Sequence, residues 1–386
     1  MNLNDYFDPI NINIDFKNYI NVKDQLFSSV AIHSGDYKIN NIENYSLAII
    51  GVVSDQIDSA SESIKGLVKI REYLYGLSGF SKKVNIYDLG NLKKGKTTND
   101  NIIALRDVII ELISLNIIPL IIGGSEDIIY PNYLAYCKLD RKVNFVSVDS
   151  KIALSENRNE DYKSALWKII VEENESLFSY TNLGYQSHFV HAGISKYLLD
   201  QLHFIYRLGN IRSKIKDTEP IFRDADIIGF NISAVRQSEA FGQINPSPNG
   251  LYGEEICQMA KYAGMSSKIS SFGIYDYCYK SDINNQSSHL IAQILWYFIE
   301  GHINRHVEYP MENEQDYKKY IVNPYSFEQK LVFYKSEKTE RWWAEVPSFS
   351  SDINKQILIS CTNDDYILAS NGDVPERWLK FFQKIN

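Results

Sequence analysis

The run Ile117-Ile118-Pro119-Leu120-Ile121-Ile122-Gly123-Gly124-Ser125-Glu126-Asp127 limits what this chain can fold into more than any other stretch. A continuous apolar segment with no alternating polar face reads as a strand covered on both sides, the habit of a parallel sheet. The two glycines permit a sharp turn and close backbone approach. The acids then fall beyond the carboxyl end of the strand, where open α/β sheets bind ligands. Two later stretches share this form, one from Val143 through Asp149 to Ala153, the other from Ala225 through Asn231 to Arg236. Three strand ends can therefore deliver polar residues to one cleft.

Around these runs the sequence alternates strand and helix signals. Strands are expected at 46–53, 84–90, 117–122, 143–149, 180–186, 204–206, 227–232 and 269–277. Helical spacing marks 64–77, 101–115, 128–139, 254–263 and 287–303. A polar loop is expected at 54–63, and residues 1–45 carry few signals. Such alternation implies a three-layer α/β/α fold with a mostly parallel sheet and right-handed crossovers. The pattern changes near Arg305. Short strands are expected at 329–334, 341–346, 356–360 and 366–369, with a terminal helix over 374–382 whose proline sits early in its first turn. The chain thus divides into an α/β domain, 1–305, and a small α+β extension, 306–386. Trp342, Trp343, Trp378, Phe381 and Phe382 make the extension too apolar to trail free, so it is expected to pack on the body or on a partner.

Composition narrows the function classes. A chain of 386 residues with 44% apolar residues has ample material for a core. A formal charge of −8 argues against nucleic acid and anionic membranes. Cys137, Cys257, Cys278 and Cys361 form no Cys-x-x-Cys pair, so neither a zinc ribbon nor a redox dithiol is indicated. No signal peptide is evident, and the apolar stretch Leu290 to Ile299 is too short to span a bilayer. A cytoplasmic protein with reduced cysteines is expected. His188, His191 and His203 read as ordinary polar or core residues.

Over roughly residues 45–303 the landmarks resemble the arginase/agmatinase/formimidoylglutamase family, the ureohydrolases. Gly123-Gly124-Ser125-Glu126 stands where that family has Gly-Gly-x-His. Asp149-Ser150-Lys151-Ile152-Ala153 stands where it has Asp-x-His-x-Asp. Phe230-Asn231-Ile232-Ser233-Ala234-Val235-Arg236 stands where it has Phe-Asp-x-Asp-x-x-Asp. Asp88-Leu89-Gly90, Gly184-Tyr185-Gln186, Pro248-Asn249-Gly250-Leu251 and Phe272-Gly273-Ile274-Tyr275 are similar to further landmarks, most of all those of the formimidoylglutamase-like branch. The resemblance implies an arginase-like fold and, in the family, two metal ions, usually manganese, bridging a hydroxide.

The departures are substantial. Glu126 replaces a histidine, Lys151 a histidine and Ala153 an aspartate, while Asn231, Ser233 and Arg236 replace three aspartates. Asp276 matches a substrate-side glutamate. Of the ligand positions only Asp149 is unchanged, with Glu126 a further donor. Two cations and an alanine oppose a dimetal centre, which needs several anionic or neutral donors. No metal cofactor and no catalytic residue are therefore expected. The vestigial cleft would comprise Gly123, Gly124, Glu126, Asp127, Asp149, Lys151, Ala153, Asn231, Ser233, Arg236 and Asp276. Lys151 is expected within ion-pair or one-water distance of Asp149 or Glu126, standing in for the metals. The leading expectation is a catalytically degenerate member that serves as a binding or scaffolding subunit for a protein partner, and a homo-oligomer is expected. The alternative is a hydrolase of linear amidines with a rearranged site.

Overall fold

The computed structural model describes all residues except 12–20, 55–56, 155–163, 312–313, 326, 328 and 350–356. Part of the expected 54–63 loop and the first residue of the expected 356–360 strand lie outside the described residues.

The body is a ten-stranded sheet built from β1 (Phe7–Asp8), β2 (Val30–Ile32), β3 (Leu47–Gly51), β4 (Ile86–Leu92), β5 (Ile118–Ile122), β6 (Val143–Val148), β7 (Leu177–Tyr185), β8 (Phe204–Arg207), β9 (Ile227–Asn231) and β10 (Ser271–Tyr275). The order is β1-β4-β3-β5-β10-β9-β6-β7-β8, with β2 also beside β4. All the pairings are parallel except that of β1. Helices Ala60–Gly76, Gly253–Gly264 and Gln286–Ile303 cover one face, and Thr98–Ser114 and Ile129–Lys138 the other, each burying an apolar stripe on the strands. This is the expected three-layer architecture.

The sequence runs from β5 directly to β6, yet β10 and β9 lie between them in the sheet. The carboxyl ends of β5, β10, β9 and β6 therefore stand in a row where the winding reverses, the place where such sheets open a crevice. Residues 1–45 contribute β1 and β2, which are too short to show a period of two, although Phe7 is buried in the core and Val30 and Ile32 pack against it. Ala192–Asp200, a helix between β7 and β8, was also not anticipated.

The extension forms a four-stranded antiparallel sheet, β11 (Tyr317–Val322), β12 (Leu331–Ser336), β13 (Trp342–Val346) and β14 (Ile357–Cys361). The strand expected at 366–369 is instead part of a helix, Asn363–Ser370. Its cause is a capping box: Thr362 Oγ1 accepts from Asp365 N–H at 3.1 Å, and the Asp365 carboxylate accepts from Thr362 N–H at 2.7 Å. The extension and the body share one apolar cluster, which includes Phe204 of β8 together with Leu331, Trp342 and Trp378. Arg223 donates to the Trp342 carbonyl at 2.9 Å, and Lys380 to the His203 carbonyl at 3.0 Å.

His203 lies in this junction, with its Nδ1 accepting from Tyr180 N–H at 3.1 Å. Burial, with Lys384 and Lys380 close by, pushes its pKa down to about 3. A histidine depressed in the folded state stays neutral while the unfolded chain gains a proton below about 6.5, so its contribution falls as pH drops from there toward 3. Buried carboxyl groups with raised pKa values act in the opposite sense, so the comparison with a variant isolates the histidine. Urea unfolding of the parent and of His203→Asn at pH 7 and pH 4.5 is expected to show the parent losing about 2 kcal/mol more than the variant on acidification. Parallel pH curves would remove His203 as an acid-sensitive element.

Candidate functional site

The turn after β5 needs both glycines. Gly123 and Gly124 have φ of 87° and 77°, the left-handed region that costs a side chain most. A Cβ on Gly123 would lie 2.8 Å from the Val52 carbonyl oxygen. The turn is tied to β10: Gly123 N–H donates to the Ile274 carbonyl at 3.0 Å, and Asp276 N–H to the Gly124 carbonyl at 2.9 Å. Asp276 itself takes a φ of 63°, an unusual conformation for a residue other than glycine. Its Oδ1 accepts from Glu126 N–H at 2.9 Å.

Asn231, at the end of β9, joins the acids. Its Nδ2 donates to Asp149 Oδ2 at 3.1 Å and to Asp276 Oδ2 at 2.6 Å. Its Oδ1 accepts from Ser233 N–H at 2.9 Å, which fixes the amide's orientation. Asp149 Oδ1 accepts from Lys151 N–H at 2.9 Å. Glu126, Asp149, Lys151, Ala153 and Asn231, with Tyr180 and Tyr275, line a cavity of about 40 Å³. That space holds little more than a water molecule or two.

The electrostatics are those of acids crowded away from water. Burial, followed by Asp149, Asp276 and Asp127, holds the Glu126 carboxyl well above its ordinary range, with Lys151 opposing. Burial lifts Asp149 to about 7, against the Lys151 N–H and Asn231, which favour its charged form. Burial also raises Asp276, with Asn231 and the Glu126 N–H opposing. Desolvation is the leading cause for all three.

The side-chain groups of four expected cleft residues are placed otherwise. It is the Lys151 backbone N–H that meets Asp149. The ammonium lies 5.3 Å from the Phe189 ring centroid, and among the described residues it makes no ion pair with Asp149 or Glu126. Of the expected ion-pair or one-water placement, the direct ion pair is thus absent among the described residues, while the Lys151 charge still favours the ionised forms of Glu126 and Asp149. Arg236 turns away altogether: its guanidinium stacks 3.6 Å from the Tyr252 ring centroid and donates to the Gly250 carbonyl at 3.3 Å. There the long side chain gains an aromatic face for its cation. Asp127 accepts from Ser125 Oγ at 3.3 Å and lines a neighbouring, larger cavity. Ser233 contributes its backbone N–H, while its buried hydroxyl has no partner among the described residues.

Sequence reasoning missed the support beneath the cleft. Ser147 Oγ and Tyr180 OH are 2.8 Å apart, and Asn182 Nδ2 donates to Ser147 Oγ and to the Lys151 carbonyl, each at 3.2 Å. The available signal was a polar residue inside an otherwise apolar buried strand, as in Val146-Ser147-Val148.

No family model matches the chain. Among curated proteins it is similar to the formimidoylglutamase of Staphylococcus haemolyticus, with 25% identity over 68% of this chain and 89% of the relative. The Staphylococcus aureus (strain MRSA252) formimidoylglutamase is 23% identical over 65% of this chain and 86% of its own. Among solved structures, formimidoylglutamase from Bacillus subtilis superposes with a TM-score of 0.64 at 19% identity, covering 76% of this chain and 95% of that one. Trypanosoma cruzi formiminoglutamase with Mn2+2 gives a TM-score of 0.64 at 18% identity, covering 73% and 99%. Arginase from Medicago truncatula gives 0.55 at 15% identity, covering 67% and 87%. The chain shares the arginase-like α/β fold of these structures. The curated relatives to which the chain is similar are formimidoylglutamases.

These neighbours overturn the expectation that no metal cofactor belongs to a chain of this kind, because a formiminoglutamase of the same fold is solved with Mn2+2. The side chains present do not, however, reproduce a two-ion donor set. Ala153 offers no donor, and Asn231 turns its N–H2, not its oxygen, toward Asp149 and Asp276. No helix among the described residues is long and apolar enough to cross a membrane.

Proposed function

We propose that the cleft recognises a cationic amidine group and that the protein is a C–N hydrolase of linear amidines, the class to which its formimidoylglutamase relatives point. The observation that carries this reading is the convergence of Glu126, Asp149 and Asp276 on one buried cleft at adjacent strand ends. An amidinium is planar and presents paired N–H donors, which match carboxylates in geometry and charge. Asp149, titrating at about 7, is suited to exchange a proton with a bound group near neutral pH. Asn231 holds Asp149 and Asp276 at fixed spacing. In the family at large, bound metal acidifies water and polarises the substrate.

Purified protein, with and without added Mn2+, is to be assayed for ammonia, formamide or urea release from a panel of linear amidines. Release is expected for at least one, with a loss of tenfold or more in Asp149→Asn at unchanged or raised thermal stability. No release under any condition would overturn the hydrolase reading. A second reading, a binding subunit without turnover, is favoured by the non-donor Ala153 and the small cavity. It requires co-purification of a protein partner from the native cell that persists in Asp149→Asn.

A further inference from the structure

A second cavity of about 360 Å³ opens beside the acid cleft, between the carboxyl ends of β3 and β4, the start of helix Thr98–Ser114 and the turn after β5. Its volume falls in the range of small-molecule sites. Its charge runs against that of the chain. Lys93, Lys94, Lys96 and Lys168 line it, and Asp127 is the one acid among its described lining residues, in a protein of net charge −8. Its remaining walls include Val52, Val53, Leu92, Ile102, Leu105 and Pro131, an apolar surface for the body of a ligand.

The sequence across this junction, Gly90-Asn91-Leu92-Lys93-Lys94-Gly95-Lys96-Thr97, has the G-x4-G-K-T spacing of a phosphate-binding loop and lies between a strand and a helix, as that motif requires. The backbone does not form the usual cradle. Gly90 is still within β4, and Gly95 N–H is given to Asn101 Oδ1 at 2.6 Å. The helix start is closed by its own capping box between Thr97 and Asp100. The ammonium groups, not main-chain N–H donors, are what a ligand would meet. Lys93 is already anchored on the Asn4 and Asp5 carbonyls, so it supplies field. Lys168 sits 4.8 Å from the Tyr130 ring centroid, and neither it nor Lys96 makes an ion pair among the described residues.

We propose that this cavity binds a small phosphorylated molecule, with its phosphate oxygens held by Lys96 and Lys168 and its apolar part against Val53 and Leu105. A carboxylate brings one negative charge. A phosphate monoester brings about two at neutral pH and three acceptor oxygens, the better match to clustered lysines. Neither Lys96 nor Lys168 lines the amidine cleft, so the proposal stands or falls independently of the hydrolase reading.

The test is calorimetric titration of the full chain with inorganic pyrophosphate and with AMP, using glutamate as a carboxylate control, at low and high salt. At least one phosphate probe is expected to bind, more weakly at high salt, and to lose tenfold or more in affinity in Lys96→Ala/Lys168→Ala. If the double variant fails to fold, the exposed Lys96→Ala alone is expected to lose threefold or more. No binding of either phosphate probe, unchanged affinity in the folded variants, or glutamate binding as tightly as the phosphates would overturn the proposal.

Discussion

Arg71→Met is expected to destabilise the protein by about 3–5 kcal/mol, the usual result of leaving a buried charge without its partner. Arg71 and Asp88 are both fully buried. Arg71 Nε donates to Asp88 Oδ2 at 2.7 Å and Nη2 to Asp88 Oδ1 at 3.1 Å, while Nη1 reaches Asn91 Oδ1 at 2.8 Å and Nη2 also reaches the Gly90 carbonyl at 3.1 Å. Tyr75 donates its hydroxyl to the same carboxylate. The guanidinium thus pins helix Ala60–Gly76 to β4, and its fork geometry makes lysine a poor substitute. Chemical denaturation of Arg71→Met, Arg71→Lys and Arg71→Met/Asp88→Asn is the measurement. The double variant is expected to recover part of the loss, because it removes the orphaned charge. A single variant within about 0.5 kcal/mol of the parent would show that the network is dispensable.

Trp378→Ala is expected to cost about 3–5 kcal/mol in the extension, the range for removing a fully buried aromatic side chain. Trp378 is 1% exposed, its Nε1 donates to the Glu345 carbonyl at 2.7 Å, and its ring stacks on Phe382 at a centroid distance of 5.1 Å. The loss is expected to reach the junction with the body, because Phe381 on the same helix packs against Phe204 and Phe178. Limited proteolysis followed by mass spectrometry should show cleavage within 306–386 at protease levels that leave the parent intact. Trp378→Phe should lose less, since it keeps most of the ring contact. Equal protease resistance of Trp378→Ala and the parent would show that the extension is not organised around this residue.

The acid cleft illustrates how far residue types lead and where they stop. Gly123-Gly124, Glu126, Asp149 and Asn231 were legible because an apolar run followed by polar residues marks a strand end, and strand ends share one edge of the sheet. That Asp276 bonds Asn231 while Arg236 leaves for Tyr252 was not legible. It depends on side-chain direction and on a competing aromatic surface from Tyr252. Asp88, read as a family landmark, proves to be the anchor of Arg71, a partner 17 residues earlier that no local pattern discloses.

By itself the sequence determined the α/β class, the strands that carry the site, the change of architecture near Arg305 and the ureohydrolase resemblance, because each follows from local periodicity, turn residues or motif spacing. Only the tertiary structure decided that β10 and β9 insert between β5 and β6, so that four strand ends stand in a row. It also decided that the Lys151 ammonium stands over Phe189 and that the Arg236 guanidinium stacks on Tyr252. The physical reason is the same in each case. Burial and nonlocal hydrogen bonds choose among conformations that local sequence leaves close in free energy.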